Sequence, residues 1–310
     1  MSKSAYFLWV GSALPTIPSI SIASAVDAGF KTTVFVDQEQ SVLADQVEYV
    51  DWREVGLPWM PEEVTISGRE VPYYAGFANL FRYKLLSKFP GWWFDCDTFI
   101  LRSADDFVSL LPERGLLAGM QTEHSVNNAV LGAKEGSQAR VLYEHAEPHF
   151  PNFTSWGETG PKLLTKLVQD NQIDVKRVAT QYFYPVPPKE YFKLYMPEHR
   201  DAFLQHQKDW FCVTLWGEML RRSGLAYLGF PEGSYLHELS KQNPSWGTNA
   251  TDLDKLSRHL MDVAQSDELR TLKKKANVAE RALQRERKVA ERIRSQKWSR
   301  LGKRLGLFRD

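Results

Sequence analysis

Apolar and polar positions alternate between two periods along the first hundred residues. Ala5 to Val10 is a short apolar run rich in aromatics, the pattern of a buried strand. Ile20 to Ala28 repeats at helical spacing and is stopped by Gly29, and TTVFVD (32–37) is β-branched and strand-like again. A strand–helix–strand unit opens a parallel sheet, and ligands of such sheets gather beyond the C-terminal ends of the strands. Trp9, Gly11 and Asp37 therefore fall near a candidate nucleotide site. Residues 45–73 hold several turn signals and read as an irregular excursion.

Ala75 to Phe89 has too many apolar positions for a thin amphipathic stripe (Phe77, Leu80, Phe81, Tyr83, Leu85, Leu86), so the spacing predicts a largely buried helix. Pro90-Gly91 ends it and WWFDCD follows as a strand. GLLAGM (115–120) and NNAVLGA (127–133) read as strands, and Ser137 to Ala146 and Pro161 to Gln169 as helices. VATQYFYPVP (178–187) reads as a strand entering a proline-rich turn, and LWGEMLRRSGL (215–225) as a helix closed by Gly224. From Asp252 the chain turns helix-rich, with no Pro or Gly between Thr251 and Arg300. The reading is α/β, with a first domain over 1–255 and a helical tail over 256–310.

Composition changes this picture in one place. The formal net charge of +1 hides a body, 1–266, with 24 basic and 32 acidic groups, and a tail from Asp267 with 15 and 6. The balanced whole argues against a nucleic-acid role. Two cysteines, Cys96 and Cys212, form no disulfide framework and no metal-ligand spacing, and read as core thiols of a reducing compartment. The N-terminal apolar run is shorter than a secretory core and is followed by Gly11, Pro15 and Pro18. No segment approaches the ~20 apolar residues of a membrane span. A cytoplasmic protein without a spanning anchor is expected.

Candidate chemistry centres on Asp95-Cys96-Asp97. If the run continues as a strand, alternation puts Asp95 and Asp97 on one face. Two such carboxylates repel unless a cation lies between them, and oxygen ligands suit Mn²⁺ or Mg²⁺. Arg82, beside Tyr83, is a lone charge in an apolar helix and needs an anionic partner, either a diphosphate or the aspartates themselves.

At this point ANLFRYKLLSKFPGWWFDCDTFIL resembles the signature of the DXD-containing retaining glycosyltransferases. These include yeast initiating mannosyltransferase, α1,4-galactosyltransferase and bacterial capsular and lipopolysaccharide sugar transferases (GT32-like). FLWVGSALP, NNAVLGAKEGS (127–137), WGETGPKLLT (156–165) and LWGEMLRR (215–222) agree in order, so the resemblance spans roughly residues 5–240. It implies a GT-A fold, a parallel-dominated mixed sheet between helices. It also implies transfer of a hexose, with retention, from a nucleotide diphosphate sugar (UDP-sugar favoured) to a surface glycan or glycolipid. On that resemblance Asp95 and Asp97 hold the metal and the donor, and Arg82 contacts the donor sugar or phosphate. Asn79, where many relatives carry Asp, and Asn127 and Asn128 line the sugar pocket. Glu158 to Pro161 form an acceptor-side turn, with Glu158 the one candidate for a covalent nucleophile. Thr214 stands where relatives often place a His that helps hold metal or diphosphate. It offers only a hydroxyl, and His237 is the residue that could substitute in space. The alternative is a catalytically weakened sugar-nucleotide-binding or scaffold protein.

The tail places Leu269, Leu272, Ala276, Ala279, Leu283, Ala290 and Ile293 on a thin helical stripe among Lys and Arg, and ends in KWSRLGKRLGLFRD. That pattern suits an anionic membrane surface on the inner face of the membrane, reached through 267–310, or a homodimer through the tail helix.

Overall fold

In a computed structural model, the structure describes residues 3–251 apart from 12, 39–42, 44, 69–71, 228 and 247–249. The expected tail over 256–310, with its domain boundary, lies outside the described residues.

The chain begins as read. Strand β1 (Ser4–Trp9) leads to helix α1 (Thr16–Asp27) and strand β2 (Lys31–Val36), which pairs parallel with β1. The helix starts four residues before Ile20, because Pro18 sits in the first turn, where a missing N–H breaks no helical bond. The expected excursion contains a four-residue edge strand, β3 (Glu48–Asp51), parallel to β2 in the register Val34 to Tyr49. Its half-exposed pattern is too short to show an alternation. A two-residue strand, β4 (Thr65–Ile66), follows.

Helix α2 (Tyr74–Lys88) buries Phe77, Leu80, Phe81, Tyr83, Leu85 and Leu86 almost completely. Strands β5 (Gly91–Phe94) and β6 (Thr98–Ile100) flank the aspartate pair, and α3 (Ala104–Leu110) is capped by Ser103. Strands β7 (Leu116–Thr122) and β8 (Ser125–Ala133) form an antiparallel pair, followed by α4 (Ser137–Ala146). A short β9 (Asn152–Phe153) pairs with β4 and ties the excursion to the loop before α5 (Pro161–Gln169). Then come β10 (Val175–Val178), α6 (Thr180–Phe183), α7 (Arg200–His206), β11 (Cys212–Thr214), α8 (Gly217–Ser223) and α9 (Tyr235–Gln242).

One correction belongs here. Residues 178–187 are not a strand: pairing stops at Val178 and Thr180–Phe183 coils into α6. The coil drives Phe183 into contact with Trp92 and Phe107, and this packing overrides the β propensity of the aromatic run.

The main sheet has seven strands in the order β10-β7-β8-β5-β1-β2-β3. Its pairs are parallel except those made by β8, which runs against both β5 and β7. Alternation along β5 sends Trp93 into the apolar layer shared with α2, α4 and α5. Trp92 and Phe94 enter the opposite layer with Ile22 of α1 and Phe107 of α3. The result is a parallel-dominated mixed sheet between helices, as expected. Its consequence for the site is that β5, entering between β1 and β8, delivers Asp95 beyond the C-terminal edge.

Candidate functional site

A cleft of about 560 Å³ opens at that edge, lined by parts of α2, the turn after β5, β8, the loop before α5, and α8. The aspartates do not reach it as a strand. The Asp95 N–H donates to the Ala129 carbonyl (2.9 Å), and the Asp95 carbonyl then accepts from the Thr98 N–H (3.1 Å), which closes a turn. Strand alternation therefore does not set the direction of the two carboxylates. They are aimed instead by partners on other elements.

Asp95 is held from one side. Its Oδ1 accepts from Trp93 Nε1 (2.8 Å) and from Arg82 Nη2 (2.9 Å), and about a third of the side chain stays open to the cleft. Arg82 is 3% exposed, with its guanidinium 4.9 Å from the centre of the Trp93 ring. Its other nitrogens donate to the carbonyls of Ala78 (Nε, 3.1 Å) and Asn128 (Nη1). Of the two anionic partners the sequence allowed for Arg82, the structure pairs it with Asp95, and Arg82 also lines the cleft.

Asp97 is held from the other side. Its Oδ2 accepts from the Gly217 N–H, and its own carbonyl accepts from Leu215 N (2.8 Å). A Cβ at Gly217 would lie 3.1 Å from Asp97 Oδ2, a tight contact to which the carboxylate would have to yield by a few tenths of an ångström. The preceding residue, Trp216, has φ 58°, a left-handed conformation that costs a non-glycine residue about 1–3 kcal/mol. It is anchored by Trp216 Nε1 donating to the Val186 carbonyl (2.7 Å). Asp97 Oδ1 is buried with no hydrogen-bond partner.

Electrostatics agree with this geometry. Burial first, and then the neighbouring Asp95, push the Asp97 carboxyl up to about 6. Burial also raises Asp95, with the Arg82 charge opposing it. The same burial, with both aspartates beside it, raises the Cys96 thiol, whose Sγ donates to the Leu8 carbonyl (3.2 Å). Cys96 is thus a protonated, hydrogen-bonded thiol at the edge of the site, while Cys212 is fully buried as read. An orphaned acidic oxygen on a destabilised carboxylate fits a divalent cation, with Asp95 as the second oxygen ligand. Among the described residues no cluster of three or more His, Cys, Asp or Glu surrounds it, so substrate oxygens and water would complete the shell.

The amides form the next wall. Asn79 and Asn128 are buried, and Asn128 Nδ2 donates both to Asn79 Oδ1 and to Tyr83 Oη (2.8 Å each). The Tyr83 hydroxyl donates in turn to the Thr159 carbonyl (2.9 Å). It does not line the cleft, and it fixes Asn128 rather than touching a ligand. Gly160 suits the same packing, since a Cβ there would come within 2.9 Å of the Asn79 amide and displace it. Asn127 Nδ2 donates to Gln121 Oε1 (3.0 Å), and both residues face the cleft.

Several expected residues stand elsewhere. Glu158 accepts from the N–H groups of Thr154 (2.8 Å) and Ser155 (3.0 Å) and pairs with His149 (2.9 Å). Burial pushes its pKa up, but these donors outweigh that and bring it to about 2. Its carboxylate braces the loop and is not a cleft nucleophile. Thr214 lines the cleft, with its hydroxyl donating to the Phe183 carbonyl (3.3 Å) and lying against Thr98 Oγ1. His237 Nδ1 accepts the Gly233 N–H (3.1 Å) at the start of α9 and does not replace the absent histidine. Trp9 and Gly11 lie at the end of β1 outside this cleft. Gly11 N donates to Asp37 Oδ1 (3.0 Å), and Trp9 Nε1 is buried without a partner.

The sequence reading missed Gln121, Trp156, Gly217, Met219 and Arg222, all on the cleft wall. Only the ordered block WGETG could have pointed to Trp156.

No family model matches the chain, and no curated protein matches it. Similar solved structures include the PaToxG glycosyltransferase, at 16% identity and TM-score 0.40, covering 55% of this chain and 70% of that one. The galactosyltransferase LgtC, in complex with donor and acceptor sugar analogues, is 10% identical at TM-score 0.39, covering 72% and 95%. The glycosyltransferase GlyE of Streptococcus pneumoniae is 14% identical at TM-score 0.39, covering 66% and 50%. The likeness to each is loose.

Proposed function

We propose that the cleft belongs to a glycosyltransferase. More narrowly, the reading is a metal-dependent, retaining hexosyltransferase that uses a nucleotide diphosphate sugar, with UDP-sugars first among the candidates. The observation that carries this is Asp97 Oδ1, a buried, unpartnered carboxylate oxygen beside Asp95, in a cleft whose wall also carries the amides of Asn79, Asn127 and Asn128.

Asp95 and Asp97 would hold Mn²⁺ or Mg²⁺, which supplies positive charge against the diphosphate of the donor. Arg82 and Trp93 orient Asp95 and oppose the upward pull of burial on its carboxyl. Asn79, Asn127 and Asn128 present amide groups for sugar hydroxyls. In the transfer the C1–O bond to the diphosphate breaks, a C1–O bond to the acceptor forms, and the acceptor proton passes to the departing phosphate oxygen. The carboxylates lining the cleft are Asp95, Asp97 and Glu218, and Glu218 is engaged by Arg221 and Arg222. With Glu158 also committed, a front-face route that holds the acceptor on the leaving-group side fits this wall better than a covalent intermediate.

The test is hydrolysis and transfer from UDP- and GDP-sugars with Mn²⁺, comparing wild type with Asp97→Ala. Loss of turnover in the variant supports the reading. Nucleotide-sugar binding without turnover in the wild type points to the weakened binding protein, which the engaged Arg82 and Thr214 would favour. An effect of neither substitution nor metal sinks both.

No described helix is long and apolar enough to cross a membrane. A surface role for 267–310, bringing the cleft to a lipid-linked acceptor, is part of the proposal and rests on sequence alone.

A further inference from the structure

The cleft has two chemically different halves. The inner half is carboxylate and amide. The outer half is formed by Trp156, Met219, Lys162 and Arg222, and it contains the one large aromatic that is both strongly exposed and part of the cleft wall among the described residues: Trp156 keeps 41% of its surface open.

An exposed indole on a loop is ordinarily free to move, but this one is braced. Tyr73, 3% exposed, packs on it with ring centres 4.9 Å apart, and the Tyr73 hydroxyl accepts the N–H of the next residue, Gly157 (2.9 Å). Gly157 has φ 72°, a left-handed turn that glycine adopts without strain. Behind Tyr73, an aromatic chain continues edge-on through Phe153 (5.2 Å) and Phe150 (4.7 Å) and then, tilted, to Trp59 (5.4 Å). On the chain before Trp156, Glu158 caps the N–H groups of Thr154 and Ser155. A braced, part-exposed indole has its ordering cost already met, which is what a weakly held ligand needs. Arg222 lies over the indole ring, 5.9 Å from its centre and tethered by Glu218 (2.7 Å), while Lys162 donates to Ser155 Oγ (3.2 Å). Polar donors thus surround an apolar plate.

A pyranose matches that surface. Its C–H groups make an apolar face that packs on an aromatic ring, and its hydroxyls point outward to hydrogen-bonding neighbours. A purely apolar ligand would leave Arg222 and Lys162 unused, and a simple anion would leave the indole unused. We propose that Trp156, flanked by Arg222 and Lys162, is the platform on which the pyranose ring of the acceptor saccharide stacks, and that it sets acceptor binding without contributing to donor binding. This rests on the glycosyltransferase reading above.

Saturation-transfer NMR with methyl β-D-galactopyranoside and methyl α-D-glucopyranoside tests it on the full chain in Mg²⁺, for wild type, Trp156→Ala, Trp156→Phe and Phe89→Ala. Phe89 is equally exposed but does not line the cleft. Enhancement is expected on ring C–H protons in the wild type, falling about five-fold or more in Trp156→Ala and largely kept in Trp156→Phe and Phe89→Ala. A thermal shift with UDP-glucose, UDP-galactose, UDP-N-acetylglucosamine and GDP-mannose should be unchanged by Trp156→Ala. Nucleotide-sugar binding in a protein whose glycoside signal is absent, or indifferent to Trp156, overturns the platform and leaves the enzyme reading standing. Glycoside contact at Trp156 with no nucleotide-sugar binding overturns the enzyme reading and the acceptor role with it.

Discussion

Arg82 and Asp95 show how a single residue type in an apolar context forecasts its partner. Removing the guanidinium leaves a carboxylate in a partly buried site. Breaking a fully buried pair costs about 3–5 kcal/mol, and the third of Asp95 that remains open brings the expected loss for Arg82→Met to about 2–3 kcal/mol. Urea unfolding checks it. Arg82→Lys should recover little, because three carbonyl and carboxylate oxygens in fixed directions need the planar fork. Glu158 gives a pH-dependent counterpart. Its folded pKa lies near 2, below the usual carboxylate value of 4.5, so its contribution is present above about pH 4.5 and is lost as pH falls toward 2. The melting temperature of Glu158→Gln should therefore lie below wild type at neutral pH, and the two should converge near pH 2.

At the scale of elements, the site depends on a helix end meeting a turn. Helix α8 begins on a strained Trp216 and places the Gly217 N–H on Asp97. Gly217→Val should push the carboxylate off its donor. Expected are loss of Mn²⁺-dependent thermal stabilisation and a fall of at least ~10-fold in nucleotide-sugar turnover, with the circular dichroism of the fold retained. A variant with unchanged metal response would show that the helix end does not position Asp97. Helices α2 and α4 and strands β7 and β8 were legible because their apolar patterns are long. Strand β3 and helix α6 were not. The first is too short to show a period, and the second is coiled by aromatic contacts that come from Trp92 and Phe107, far away in the sequence.

At the scale of the molecule, charge separates an acidic body from a basic tail. If the tail serves an anionic surface, full-length protein should sediment with phosphatidylserine-containing vesicles at low salt and be released as ionic strength rises. Protein ending at residue 266 should stay in solution. Equal sedimentation of both would remove the membrane role and leave pairing between tails as the use of that stripe.

Apart from the ordered blocks around Asn127, Trp156 and Trp216, which a family resemblance singled out, local pattern determined the strand–helix–strand opening, the buried helix before the aspartates and the need of Arg82 for an anion. Those are properties of neighbours in sequence, and periodicity and residue type report them. Tertiary structure alone decided that Asp95 and Asp97 sit on a turn, that Arg82 and Thr214 are committed to protein oxygens, and that Glu158 braces a loop. It alone brought Trp156 and Gly217 to one cleft. Most of those outcomes depend on contacts between residues far apart in the chain, about which spacing along the sequence carries no information, and the local bonds of Glu158 form only once its loop is folded.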